Sequence, residues 1–251
     1  MTRYSTSVTH SHPGGLGSAT GKLLHAEGAS LALLYAPFEA KNYDSTVSKT
    51  YGHNSPSESG DKIKGYECDI TSPESVTAAF EAIAKDNTAF PSMLINTAGY
   101  VNLTPFLDVT PEDAWKHYLI NLFGPTLTSQ AFAKLYISRR KGASNPPGGR
   151  IVTLASQAAH VALTDHGPYC ASKAGLLGLT RCMANEFGPY GITANTVSPG
   201  PVMTAMGQKA WADKAAREAY LEGVPSGGFA EPEEVAGIVR FLCGDGAKNV
   251  S

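Results

Sequence analysis

No stretch of this sequence is long and apolar enough to cross a membrane, which takes about 20 such residues. The first ten residues, M-T-R-Y-S-T-S-V-T-H, lack the apolar run of a secretory leader. Neither sign of charge dominates, since 20 Lys and Arg stand against 22 Asp and Glu. There is thus no basic field to hold nucleic acid and no acidic tail. Cysteine is scarce: Cys68, Cys170, Cys182 and Cys243 form no C-x-x-C pair. They read as free thiols in a reducing compartment, so a cytoplasmic location is expected. His10 and His12 have no third ligand nearby, and no metal is expected. Repeats, low-complexity tracts and inter-domain linkers are also missing. The 251 residues therefore read as one domain spanning 1–251, long enough to bury about 70–75% of its unfolded surface.

What is present is an alternation of short apolar runs and helical patterns. Strands are expected at 4–9, 31–35, 63–68, 92–96, 150–155 and 192–197. Helices are expected at 16–27, 73–85, 110–140 with a break at Gly124-Pro125, 167–187, 203–221, and from the cap at Glu231 to Cys243. An amphipathic piece covers 38–47, and the polar, turn-rich stretch 48–60 reads as a surface excursion. Six strand–helix alternations imply an α/β protein: a doubly wound parallel sheet with helices on both faces. The first strand is unusual for a buried one, because Ser5, Thr6 and Ser7 are polar.

Several constellations carry chemistry. In Tyr169-Cys170-Ala171-Ser172-Lys173, helical spacing places Tyr169 and Lys173 at i and i+4 on one face. An ammonium beside a phenol favours the phenolate. Lowering a Tyr from about 10 to neutrality takes roughly 4 kcal/mol, which one charge about 4 Å away can supply. Such a Tyr exchanges protons near pH 7, where acid–base catalysis works best. Gly14-Gly15-Leu16-Gly17 with Gly21 sits between the first strand and helix, where glycine lets backbone approach a pyrophosphate. Asn96-Thr97-Ala98-Gly99 ends the fourth strand, another place where small residues admit a nucleotide. At the end of the second strand stands Tyr35 rather than a carboxylate, with Lys41 within reach and Glu39 as a rival ribose ligand. That pattern favours NADP(H), with NAD(H) possible.

On these motifs the whole chain resembles the short-chain dehydrogenase/reductase family, which has a single Rossmann-type fold. Its glycine motif matches the region ending Gly15-Leu16-Gly17, its N-N-A-G matches Asn96-Thr97-Ala98-Gly99, and its P-G matches Pro199-Gly200. The resemblance implies a catalytic set of Ser156, Tyr169, Lys173 and Asn121. It implies cofactor contacts from Gly15, Leu16, Gly17, Tyr35, Asp69, Asn96, Ala98, Gly99, Tyr169, Lys173, Pro199, Gly200, Val202 and Thr204. It also implies that Lys173 lowers the Tyr169 pKa and that Asn121 holds a relay water. The second half, with S-Q-x-x-x-x-A-L-T-D-H-x-x-Y-C-x-S-K, is similar to xylulose reductases and related polyol dehydrogenases of that family. This implies a ketose, polyol or small carbonyl substrate lined by Gln157, His166, Met206 and Trp211, the last two on a lid segment.

The chain departs from the family pattern in three places. His10 to Pro13 replace the first glycine of the turn, the first strand is polar, and the family's final strand is missing. A homo-oligomer, dimer or tetramer, is expected; the missing strand either weighs against the usual tetramer or means that the sequence is trimmed before it. Two other readings share the same motifs: a 3-oxoacyl thioester reductase, and a cofactor-binding regulator with decayed catalysis.

Overall fold

The computed structural model describes residues 6–10, 15–52, 63–86, 90–204, 207–208 and 211–251. Six strands form one sheet: β1 (Thr6–His10), β2 (Leu31–Tyr35), β3 (Ile63–Glu67), β4 (Pro91–Asn96), β5 (Gly149–Leu154) and β6 (Ile192–Val197). Their order is β3-β2-β1-β4-β5-β6, and every pairing is parallel. The order reverses between β1 and β4, and such a reversal opens a crevice at the carboxyl ends of the strands.

The helices are α1 (Leu16–Ala26), α2 (Tyr43–Tyr51), α3 (Pro73–Lys85), α4 (Pro111–Tyr118), α5 (Gly124–Arg140), α6 (Gly167–Phe187), α7 (Lys214–Leu221) and α8 (Pro232–Cys243). Strand periodicity divides the core between two faces. Ala32, Leu34, Leu94, Ile151 and Ala194 pack with α3, α5 and α6. Their neighbours Leu31, Leu33, Met93, Ile95 and Val152 pack on the other face with Leu24 of α1 and Val239 of α8. β4 and β5 are buried along their whole length, which is why they read as continuous strands. Helix starts follow local chemistry: Ser72 accepts from the Ser75 N–H at 3.1 Å before Pro73, and Thr110 accepts from the Asp113 N–H at 3.2 Å before Pro111.

Four sequence expectations need correction. The stretch 48–60 is not an excursion from its start, since residues 48–51 complete α2; residues 53–62 lie outside those described. Tyr51 holds that last turn in place. A Cβ on Gly21 would stand 2.4 Å from the Tyr51 hydroxyl, so glycine is what lets α1 and α2 meet there. The long helix does not break at Gly124-Pro125. It widens just before them, into a π turn at Leu119–Phe123, and Pro125 then sits in the first turn of α5, where it needs no N–H partner. The segment 203–221 is not one helix, because residues 211–213 are non-helical before α7; Met206 lies outside the described residues. The first strand runs from Thr6 to His10, a residue beyond the expected end.

Past α8 the chain reaches the free edge of β6. Asn195 Nδ2 donates to the Val250 carbonyl at 2.8 Å, and the Ala194 N–H donates to Ser251 Oγ at 3.1 Å.

Candidate active site

The candidate residues come from loops that follow successive strands. Gly15–Gly17 follow β1, Tyr35 ends β2, Asp69 follows β3, Asn96–Gly99 close β4, Ser156 follows β5, and Pro199–Thr204 follow β6. All stand at the carboxyl edge of the sheet, where open α/β sheets bind ligands.

Ser156 leaves β5 and caps a 3₁₀ turn at Gln157–Ala159. Its hydroxyl accepts from the Ala158 N–H at 3.2 Å and is bonded to the Tyr169 hydroxyl. Tyr169 and Lys173 lie one turn apart near the start of α6, with Lys173 Nζ 5.8 Å from the Tyr169 ring centre. The charge relationship differs from the one expected. Burial holds the Tyr169 hydroxyl above its ordinary value, with the Ser156 bond opposing it. The lysine yields instead: it is 4% exposed, and burial lowers it to about 8. Both groups share a desolvated pocket, and Nζ is aimed at the Leu154 carbonyl, 2.8 Å away, rather than at the phenol oxygen.

Asn121 is fully buried in the π turn. Its Oδ1 accepts from the Tyr100 N–H at 2.7 Å, and its Nδ2 donates to the Tyr100 carbonyl at 2.8 Å and to Ser172 Oγ at 3.0 Å. The side chain is thus a clamp between the segment after β4 and α6. Gly99 lies beside both Lys173 and Asn121, at ordinary contact distance. A Cβ there would lie 3.7 Å from Lys173 Nζ and 3.8 Å from Asn121 Oδ1.

Asn96 turns inward. It donates to Ser129 Oγ at 3.1 Å and Thr153 Oγ1 at 3.3 Å and accepts from Thr128 Oγ1 at 2.8 Å, so its side chain ties β4 to β5 and α5 instead of facing the crevice. Asp69 Oδ1 accepts from the Thr71 N–H and hydroxyl, at 2.9 and 2.7 Å. Tyr35 stacks on Tyr43 with ring centres 4.2 Å apart, and burial, Glu67 and Asp44 together raise its hydroxyl. Glu39 Oε2 accepts from the Ala36 N–H at 2.9 Å.

Around the opening, Gln157 Nε2 donates to the Tyr220 hydroxyl at 2.7 Å. His166 stands 6.1 Å from the Tyr169 ring. The residue before it, Asp165, has φ of 60° and accepts from the Thr104 N–H at 3.0 Å, which fixes the turn that presents Tyr169. Trp211 lies against Tyr220 and Phe229, at 4.6 and 5.1 Å. Val202 bridges to Ala230, and Thr204 Oγ1 accepts from the Gly207 N–H at 3.1 Å.

One buried group escaped the sequence reading. His117 is fully buried, edge-on to Tyr169 at 6.4 Å and tilted on Tyr100 at 4.7 Å. Its Nε2 accepts from the Asn102 N–H at 3.1 Å, so Nδ1 carries the hydrogen toward the Asp113 carbonyl, 2.8 Å away. The i, i+4 spacing of Asp113 and His117 was the available signal.

The crevice suits a dinucleotide. α1 opens at Gly15 with no side-chain cap and no acidic residue in its first turn, leaving N–H groups for a pyrophosphate. Of the three N–H donors of Lys173, one goes to Leu154, so a ribose hydroxyl can take another.

The family model described as enoyl-(acyl carrier protein) reductase matches residues 11–251. D-threitol dehydrogenase of Mycolicibacterium smegmatis is 38% identical over 75% of this chain and 69% of its own. NAD-dependent glycerol dehydrogenase of Listeria innocua is 32% identical over 94% of this chain and 85% of its own. L-xylulose reductase of Bos taurus is 42% identical over 61% of this chain and 60% of its own. Among solved structures, an actinorhodin polyketide ketoreductase with NADPH superposes with a TM-score of 0.84 at 26% identity, over 99% of this chain and 93% of that one. The parallel sheet, the crevice at its switch point and these likenesses agree: the chain belongs to the short-chain dehydrogenase/reductase family.

Proposed function

We propose that this protein interconverts a ketone and its secondary alcohol, with NADP(H) as cofactor and a ketose, a polyol or a small hydroxyketone as substrate. The observation that carries this reading is the Tyr169 hydroxyl, bonded to Ser156 and set one helical turn from a buried Lys173. The nicotinamide supplies or accepts the hydride. Tyr169, held above its ordinary value by burial, keeps its proton at neutral pH and gives it to the oxygen of the reacting carbonyl. Ser156 donates a hydrogen bond to the same oxygen as charge develops there. Lys173, lowered to about 8, takes up or releases a proton at Nζ near neutrality. Asn121 fixes the backbone at Tyr100 and the helix at Ser172, so Tyr169 and Lys173 keep their spacing. Gln157 and His166 give the opening a polar lining suited to hydroxyl groups, in keeping with the threitol, glycerol and xylulose named for the relatives.

The NADP(H) reading rests on the end of β2. Glu39 Oε2 accepts from the Ala36 N–H, and exposed Lys41 lies in the same turn. Asp44 and Glu67 oppose a 2′-phosphate there. Self-association is part of the proposal too, through exposed Trp115 and Phe123 or through Ile238 and Phe241.

A panel of ketoses, diketones, aryl ketones and an acetoacetyl thioester, each assayed with NADPH and NADH, tests the reading. Turnover of the thioester alone would replace it with acyl-chain reduction. Tyr169→Phe abolishes turnover while cofactor binding, read by nicotinamide fluorescence, persists. Full activity in that variant sinks the assignment.

A further inference from the structure

One side-chain contact joins the loop after β5 to α7. Gln157 directly follows Ser156, and both its backbone and its side-chain amide are anchored. The Gln157 N–H donates to the Pro199 carbonyl at 2.8 Å, Oε1 lies 3.5 Å from where a Cβ on Gly200 would stand, and Nε2 donates to the Tyr220 hydroxyl at 2.7 Å. Among the described residues, α7 packs closely on no other helix or strand. One tie to the body, among the described residues, runs through Tyr220, whose ring sits 4.6 Å from Trp211 and 5.8 Å from Phe229. Beside this contact lies a cavity of about 820 Å³, bordered by Gln157, Gly200, Tyr220, Ser226 and Phe229.

We propose that Tyr220 is a positioning residue that sets substrate specificity: its hydroxyl holds the Gln157 amide so that this amide recognises a hydroxyl next to the reacting carbon. A primary amide has two N–H donors and one acceptor oxygen. Tyr220 takes one donor and fixes the plane. The remaining N–H and Oε1 then form a donor–acceptor pair, which an alcohol can satisfy with both its lone pair and its proton. A ketone without a neighbouring hydroxyl offers nothing to that pair and gains nothing from its alignment. Without Tyr220 the amide is free to rotate, and ordering it falls on substrate binding, as higher KM and unchanged chemistry. Trp211 contributes by packing on the Tyr220 ring rather than by touching substrate. The proposal rests on the reading of Ser156, Tyr169 and Lys173 given above.

Tyr220→Phe keeps the ring, and with it the cluster with Trp211 and Phe229, and removes only the hydroxyl. Wild type and variant are compared with 1-hydroxybutan-2-one and butan-2-one under saturating NADPH. The expected result is a rise of about tenfold in KM for the hydroxyketone, the size of one lost hydrogen bond. Over the same comparison kcat stays within about twofold, and butan-2-one parameters move by less than about twofold. Gln157→Ala costs less in the Tyr220→Phe background than alone, since the two residues act as one unit. Trp211 emission unchanged in the variant shows that the cluster is intact. Equal losses on both ketones, or loss on neither, overturn the assignment of Tyr220 and leave the catalytic reading standing. A wild type that reduces neither ketone overturns both.

Discussion

The ammonium nitrogen of Lys173 is aimed at the carbonyl of Leu154, 2.8 Å away, and the helix that carries it is buried around it. That placement makes the lysine a cost to the folded chain. Its proton affinity is lowered from 10.5 to about 8, which corresponds to about 3 kcal/mol at 1.36 kcal/mol per unit. The penalty is complete below about 8. Between 8 and 10.5 the unfolded chain holds more protons than the native one, so the penalty fades as pH rises. Lys173→Met is therefore expected to be more stable at pH 7 by about 2 kcal/mol, after allowing about 1 kcal/mol for the lost bond to Leu154. The gap should close near about pH 10, where the remaining penalty equals the lost bond. Urea denaturation of both proteins from pH 7 to 10 measures it. The comparison removes the opposite trend from Cys68 and Cys243, whose thiols burial pushes up to about 12. A gap independent of pH would show that the lysine is not buried as a strained cation. The same variant should have no turnover.

Asn96 invites a different test, because its motif suggests nucleotide contact and its surroundings do not. The amide bonds to Ser129, Thr153 and Thr128 and is 2% exposed. Asn96→Leu leaves three buried hydroxyls without this partner and should cost about 2–4 kcal/mol. Cofactor Kd, measured well below the unfolding transition, should change by less than about threefold. A variant of native stability with lost cofactor binding would reverse this assignment.

How far the sequence spoke for itself depends on the range of the interaction. β2, α6 and β6 fall where pattern and caps put them, since a continuous apolar run, a glycine boundary and a proline at the helix start are local signals. The Ser156, Tyr169 and Lys173 spacing was equally local. Its electrostatics were not: the i, i+4 geometry suggested a lysine lowering a tyrosine, and only the burial of both reveals that the lysine gives way. Asn121 was legible as a position, and its clamp on Tyr100 was not. His117 beneath Tyr169 and Tyr220 against Gln157 depend on contacts between distant segments, which no periodicity encodes. The close approach of α5 to Ile70 is likewise a matter of tertiary fit, since a Cβ on Gly124 would stand 2.7 Å from Ile70 Cδ1.

Gly65 tests that kind of fit directly. A Cβ at this position in β3 would stand 2.1 Å from Tyr43 Cζ, and Tyr43 in turn stacks on Tyr35 at the end of β2. Gly65→Ala must push the Tyr43 ring away, at a cost of about 1–3 kcal/mol. In a Tyr43→Ala background the added methyl has room, so the penalty should largely vanish. A thermal-denaturation double-mutant cycle reads the coupling. Simple additivity would mean the strand, rather than the ring, rejects the methyl.

Opposing charges meet at the end of β2, on which the proposed cofactor preference rests. Lys41 is exposed in the turn after Tyr35, while Asp44 and Glu67 act on the Tyr35 hydroxyl. A 2′-phosphate gains from the first and is repelled by the other two. On the NADP(H) reading proposed above, the ratio of kcat/KM for NADPH over NADH should exceed one in the wild type, which requires Lys41 to outweigh the two carboxylates. Lys41→Ala should lower it by about tenfold, the scale of one charge-assisted contact. Asp44→Asn should raise it, and more at low salt, because exposed charges are screened over about 10 Å at 0.1 M. The Ala36–Glu39 bond makes a third substitution informative. Glu39→Gln keeps an acceptor for the Ala36 N–H, so it should leave the NADH value within about twofold, less than the loss of one hydrogen bond. A large loss with NADH in that variant would mean that Glu39 leaves Ala36 to bind the ribose diol, and the preference would then run toward NAD(H).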